Sequence, residues 1–207
     1  MSLKLNLIAC LLIPVIIFPG CSPRSRYEKR LKHELSTGVR CDSLFMGMYL
    51  GMTDKDFYIK CWQLNGKHLV KQGPGNTTVE YIMNNELKYK ATMNFYPKFL
   101  DGKIVEMPVK YAYAGWAPWN RKLSSDLLEK DLLRYYKSIY GQGFISVRNR
   151  TRGIAYIKID GNRRITIYKN DPYVWAVFRD LTVSVDSTAF PPQGVDTLRK
   201  SMEESNK

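Results

Sequence analysis

The stretch Gly153-Ile154-Ala155-Tyr156-Ile157-Lys158-Ile159-Asp160-Gly161-Asn162-Arg163-Arg164-Ile165-Thr166-Ile167-Tyr168-Lys169 reads as a β-hairpin. Two runs rich in β-branched and aromatic residues, 153–160 and 163–169, flank Asp160-Gly161-Asn162, a strong hairpin turn. Asn170-Asp171-Pro172 turns the chain again into a third run at 173–185, and 144–148 supplies a run upstream. Ahead of them, Ser124 or Ser125 caps a helix with Leu128, Leu132, Tyr135 and Ile139 on one face and Gly141 at its end. A helix followed by an antiparallel meander places the chain in the α+β class.

The same order of elements occurs once more, about 70 residues earlier. Thr53 is a good N-cap with Asp56 three residues on, in the pattern of a capping box with a shorter acid. Phe57, Cys61 and Leu64 line one face of the helix, Tyr58 and Trp62 lie beside it, and Gly66 stops it. Strand-like runs follow at 77–83, 87–96 and 103–113, with turns at Asn84-Asn85 and Asp101-Gly102. The pattern suggests tandem helix-plus-antiparallel-sheet units at 43–115 and 123–186, joined by a Trp/Pro linker at 116–122 and followed by a polar, mobile tail at 187–207.

The amino terminus reads as an address. Lys4, an apolar run over 5–18 and Gly20 are the three parts of a secretory signal, so 1–20 is expected to be a signal peptide. The run is too short for a membrane span and contains Asn6 and Pro14. Cys21, placed directly after Gly20, resembles the lipobox of bacterial lipoproteins, which implies cleavage before Cys21 and its acylation. Residues 21–42 then form a basic tether: Arg24, Arg26, Lys29, Arg30 and Lys32 sit beside the anchor, and Tyr27, Leu31 and Leu35 space a short helix ending near Gly38. A lipid chain with a basic patch is a stable two-signal membrane anchor.

Composition narrows the chemistry. The 207 residues carry a formal charge of +13, with 44% hydrophobic and 13% aromatic residues, including 14 Tyr. Such content supports a packed, sheet-rich core. Behind an export signal, the anions that match a basic surface are lipid head groups, anionic glycolipid or an acidic envelope protein, and no nucleic-acid signature is present. His33 and His68 are the only histidines, and no metal-ligand spacing occurs, so neither a metal nor a cofactor is expected. Cys41 and Cys61 are compatible with one disulfide in an oxidising compartment or with two buried thiols. No nucleophile elbow, Ser-x-x-Lys motif or phosphate loop occurs, which favours a binding module over an enzyme.

Leu50-Gly51-Met52-Thr53-x-x-Asp56-Phe57, in a chain with a lipoprotein signal and a following antiparallel sheet, resembles the SmpA/OmlA outer-membrane lipoproteins. The tandem form is similar to the β-lactamase-inhibitor-protein architecture, and the chain as a whole resembles uncharacterised Bacteroidetes lipoproteins. The resemblance implies a non-catalytic binding or assembly role in the cell envelope, with no catalytic residues to carry over. Surface-export signals in Bacteroidetes lipoproteins are often acidic, and none follows Cys21, so the expected location is the outer membrane facing the periplasm. Other classes are an envelope hydrolase acting on cell-wall material and an inhibitor working through exposed sheet faces.

Two surfaces are candidates for contact. Arg148, Arg150 and Arg152 alternate across a strand end and its turn, and Lys158, Arg163 and Arg164 on the adjoining hairpin are expected to extend that basic patch. A charged strand edge kept from pairing would look the same. Trp116 and Trp119 flank Pro118 in the linker, either as a stacking platform for a sugar or peptide or as rings packed between the two units.

Overall fold

A computed structural model describes residues 23–149 and 153–183. The signal segment, Cys21, Arg150, Arg152 and the tail at 187–207 lie outside the described residues.

The chain enters through α1 (Pro23–Ser36) and, after a loop, α2 (Asp54–Gly66). The α2 cap is reciprocal: the Asp56 amide donates to Thr53 Oγ1 over 3.1 Å, and that hydroxyl donates to Asp56 Oδ2 over 2.7 Å. Asp54 and Asp56 also face the positive end of the helix dipole. Thr53→Ala removes one acceptor and one donor at this end and is expected to cost about 1 kcal/mol in urea unfolding. An unchanged midpoint would show that the cap does not matter.

The strands follow as β1 (Val70–Gln72), β2 (Val79–Met83), β3 (Ala91–Phe95), β4 (Lys98–Leu100) and β5 (Lys103–Tyr113). After α3 (Ser125–Tyr140) come β6 (Ile145–Asn149), β7 (Gly153–Asp160), β8 (Arg163–Asn170) and β9 (Tyr173–Asp180). All belong to one antiparallel sheet in the order β1-β2-β3-β5-β9-β8-β7-β6, with β4 paired to β5. The two meanders meet at their last strands, where β5 and β9 pair from Glu106↔Arg179 to Tyr111↔Val174. Only the short β1 and β6 are left at the ends of this order.

Strand alternation sends one set of side chains towards α2 and α3. Met93 and Phe95 of β3, Met107, Val109 and Tyr111 of β5, and Val174, Ala176 and Phe178 of β9 share one buried cluster with Phe57, Leu128, Leu132 and Tyr136. Residues of both helix-plus-sheet stretches therefore build a common core. On the opposite face, α1 lays Tyr27 and Leu31 on Val147, Ile157 and Ile159 of β6 and β7.

The helix expected around Ser124 or Ser125 is present as α3, but its buried stripe differs from the one the spacing suggests. Ser125, Leu128, Leu132 and Tyr136 face inward with Asp131, whereas Ile139 is 52% exposed. The inward stripe turns on Tyr136, whose hydroxyl meets that of Tyr111 at 2.9 Å within the core. Asp131 is engaged within the fold: it accepts hydrogen bonds from the Tyr113 hydroxyl and from Arg134.

Candidate functional site

The expected basic patch is not a surface feature of the hairpin. Arg163 and Arg164 are consecutive on β8, so they point to opposite faces, and both are buried. Arg163 faces the helices, stacks 5.0 Å from the Tyr140 ring, pairs with Asp160 at 3.2 Å and donates to the Ser43 carbonyl. Arg164 donates to the Tyr27 hydroxyl of α1 over 3.2 Å, and among the described residues its Nε and Nη2 have no hydrogen-bond partner. Lys158 is buried against Asp160 at 2.6 Å. The guanidinium stems lie under α1 and under residues 39–43, which cross the end of the hairpin. Of the described members of the patch, Arg148 alone is exposed.

Trp116 and Trp119 remain on the surface, 41% and 84% exposed, so the linker rings are not packed between the two stretches. Cys41 and Cys61 are free thiols. The Cys41 amide is held by Asn162 Oδ1 at 2.7 Å, while Cys61 packs partly against the core from α2. Burial pushes the Cys61 thiol up to about 11, which leaves it protonated and a poor nucleophile near neutrality. Among the described residues no cluster of three or more His, Cys, Asp or Glu side chains can hold a metal ion. No described helix is long and apolar enough to cross a membrane.

The feature that sequence reasoning passes over is a groove of about 370 Å³ between α2 and the β1–β2 corner. Its aromatic wall comes from Phe57, Tyr58 and Trp62 of α2, the last two one helical turn apart, and from Tyr96 just past β3. Trp62 is 78% exposed and Tyr58 53%. The Tyr58 and Tyr96 hydroxyls lie 2.6 Å apart, and the Tyr96 ring meets Phe57 edge-on at 5.9 Å, so the Tyr96 ring is fixed on both sides. The hydrogen bond shared with Tyr58, together with burial, pushes the Tyr96 phenol up to about 12.

The facing wall is polar and neutral. Gln72, Asn76, Thr77 and Thr78 line it, and Lys71, the cation at its edge, is paired with Glu80 at 3.0 Å. Gly73 shapes this wall: a Cβ there would lie 2.2 Å from Thr78 Oγ1 and 2.9 Å from Asn94 Oδ1. Only glycine lets the loop close on Thr78, whose carbonyl accepts from the Gly73 amide at 2.8 Å. At the helix side, Asn65 Nδ2 donates to the Val70 carbonyl over 2.9 Å and ties the end of α2 to β1. The arrangement offers aromatic faces and neutral hydrogen-bonding groups. Among the residues that line the groove there is no carboxylate, and its one cation, Lys71, is paired. The signal for it in the sequence is the pair Tyr58 and Trp62 at i and i+4, beside the face of α2 that carries Phe57.

No family model, curated protein or solved structure matches the chain.

Proposed function

We propose that this is a cell-envelope protein, anchored by lipid on Cys21 at the outer membrane facing the periplasm, whose folded part binds a ligand or partner without catalysis. The observation that carries the binding role is the groove beside α2, where four aromatic side chains and a neutral polar wall converge around open space. An exposed tryptophan on an otherwise ordinary helix face has no packing role in the fold, and such rings are characteristic of recognition surfaces.

Support for the anchor comes from the signal-like segment and from the basic helix next to it. α1 begins two residues after Cys21. Arg24 pairs with Glu28 and Arg30 with Glu34 along the helix, each at 2.9 Å, so the exposed Arg26, Lys29 and Lys32 are the cations that face anionic head groups. Each can add about 1 kcal/mol of attraction near such a surface.

The tandem organisation, similar to the inhibitor-protein architecture, is supported by the order of elements. α2 precedes β1, β2, β3 and β5, α3 precedes β6 to β9, and the closing strands pair antiparallel at the centre of the sheet. Two equivalent units joined edge to edge about a local two-fold axis would give this arrangement.

The experiment is metabolic labelling with an alkyne-bearing fatty acid, followed by membrane fractionation. The wild-type chain is expected to take up label and sediment with membranes, and Cys21→Ala to lose the label and collect as the unprocessed form. Equal labelling of the two would remove the anchor from the proposal.

A further inference from the structure

We propose that the groove beside α2 is a binding site for a neutral oligosaccharide, a deepening that rests on the binding reading above. A sugar ring presents two chemically different surfaces: faces of C–H bonds and a rim of hydroxyl or acetamido groups. The groove supplies a partner for each. The C–H faces match the planes of Trp62 and Tyr58, and the rim matches the amides of Gln72 and Asn76 and the hydroxyls of Thr77 and Thr78.

Charge decides the ligand class. The chain carries +13 overall, yet this groove offers an incoming anion no unpaired cation, because Lys71 is held by Glu80. Nor does a carboxylate line it to receive a cation. A neutral ligand loses least by entering such a site, since no charge is stripped of water without a partner. The volume of about 370 Å³ is within the range of small-ligand sites, and the groove is open, so a chain of sugars can continue beyond the ring that is held.

An extended peptide is the competing occupant, since β1 is an edge strand. That edge is three residues long and is closed at once by the Pro74–Asn76 turn. It offers strand addition few main-chain hydrogen bonds, and the neutral side-chain wall lies beside it. The walls are also fixed before binding, through the Tyr58–Tyr96 hydroxyl contact, the Asn65–Val70 tie and the close approach at Gly73. A preset site avoids the ordering cost that weakens recognition of polar ligands.

The test uses the full chain as it is expressed, whether or not it carries lipid, in a detergent without a sugar head group. Chitotriose and maltotriose, both uncharged, are titrated by calorimetry and by tryptophan fluorescence. At least one is expected to bind saturably with Kd of about 1 mM or tighter. Trp62→Ala, at an exposed position that leaves the fold intact by circular dichroism, is expected to weaken binding at least tenfold. Asn76→Ala should weaken it too, and Trp119→Ala, on the linker, should leave it unchanged. Bound sugar should also slow alkylation of Cys61, which lines the groove. Absence of saturable binding to either sugar overturns the proposal. So does binding that Trp62→Ala leaves intact, or a groove that takes an uncharged extended peptide and excludes both sugars. The fatty-acid labelling fails or succeeds independently of this titration, so loss of the anchor and loss of the ligand class are told apart.

Discussion

Replacing Tyr136 by Ala is expected to lower stability by about 3–5 kcal/mol, the range for removing a large aromatic ring from a packed core. Tyr136 is 1% exposed. Its ring meets Tyr111 edge-on at 6.4 Å and leans on Tyr140 and Phe178 at 5.4 and 5.8 Å. It is therefore the residue through which α3 grips both central strands, β5 and β9. For a chain of this size each kcal/mol moves the melting temperature by about 2–4 °C, so the Ala variant should melt roughly 6–20 °C lower. Tyr136→Phe separates ring from hydroxyl: it keeps the packing but leaves Tyr111 Oη without its 2.9 Å partner, at a cost of about 1–3 kcal/mol. Burial pushes both phenols far above their ordinary range, so both stay neutral and the effect should not vary with pH between about 5 and 9. Ile139→Ala, at the 52% exposed position, should cost less than about 1 kcal/mol. If Tyr136→Ala fell within about 1 kcal/mol of wild type while Ile139→Ala did not, the inward stripe of α3 would be the one the leucine spacing suggests.

That contrast shows where local sequence stops determining structure. β7 runs from Gly153 to Asp160 and β5 from Lys103 to Tyr113, as their residue pattern predicts, and Thr53 caps α2 as its spacing with Asp56 predicts. Each of these rests on neighbours in the chain. On α3, by contrast, Leu133, Tyr135 and Ile139 make a second apolar stripe beside the real one, and helical periodicity cannot choose between stripes so close together. The choice is made by distant packing partners, among them Tyr111, 25 residues from Tyr136, and Phe178. Arg163 and Arg164 read as exposed in the sequence because arginine usually is. They are buried because α1 and residues 39–43 return to cover the end of the hairpin, a contact across at least 120 residues that no local pattern records. The groove is hidden from the sequence for a related reason. Its aromatic wall is visible in Tyr58 and Trp62, but its polar wall exists only once the three-residue β1 pairs with β2, and so short a run reads as loop.

The other large effect is expected at the turn of the β7–β8 hairpin, where Gly161→Ala should cost about 2–4 kcal/mol. Asp160-Gly161-Asn162 signals a hairpin in any sequence, because glycine accepts the positive φ such a turn needs, and Gly161 has φ of 52°. Here the glycine has a second task. A Cβ at this position would lie 2.1 Å from the Val39 carbonyl oxygen and 3.0 Å from its carbon, so the backbone of a distant segment occupies the space a side chain would need. That approach is held by a row of bonds: the Gly161 amide donates to Glu34 Oε2 at 2.8 Å, Asn162 Nδ2 to Asp42 Oδ1 at 2.8 Å, and the Cys41 amide to Asn162 Oδ1 at 2.7 Å. Arg40 adds Asp180 at 3.0 Å, which straps the segment to the end of β9. An alanine both strains the turn and forces Val39 away, and moving Val39 pulls on all of these contacts and on α1 behind them. Amide hydrogen exchange should therefore quicken across residues 37–43 and along α1 more than in β5 or β9. Gly161→Asn distinguishes the two causes, since asparagine tolerates the positive φ but still carries a Cβ. It is expected to lose nearly as much as alanine. Recovery of wild-type stability by asparagine would assign the cost to the turn conformation alone, and a loss below about 0.5 kcal/mol with alanine would mean that residues 39–43 are not fastened to the hairpin.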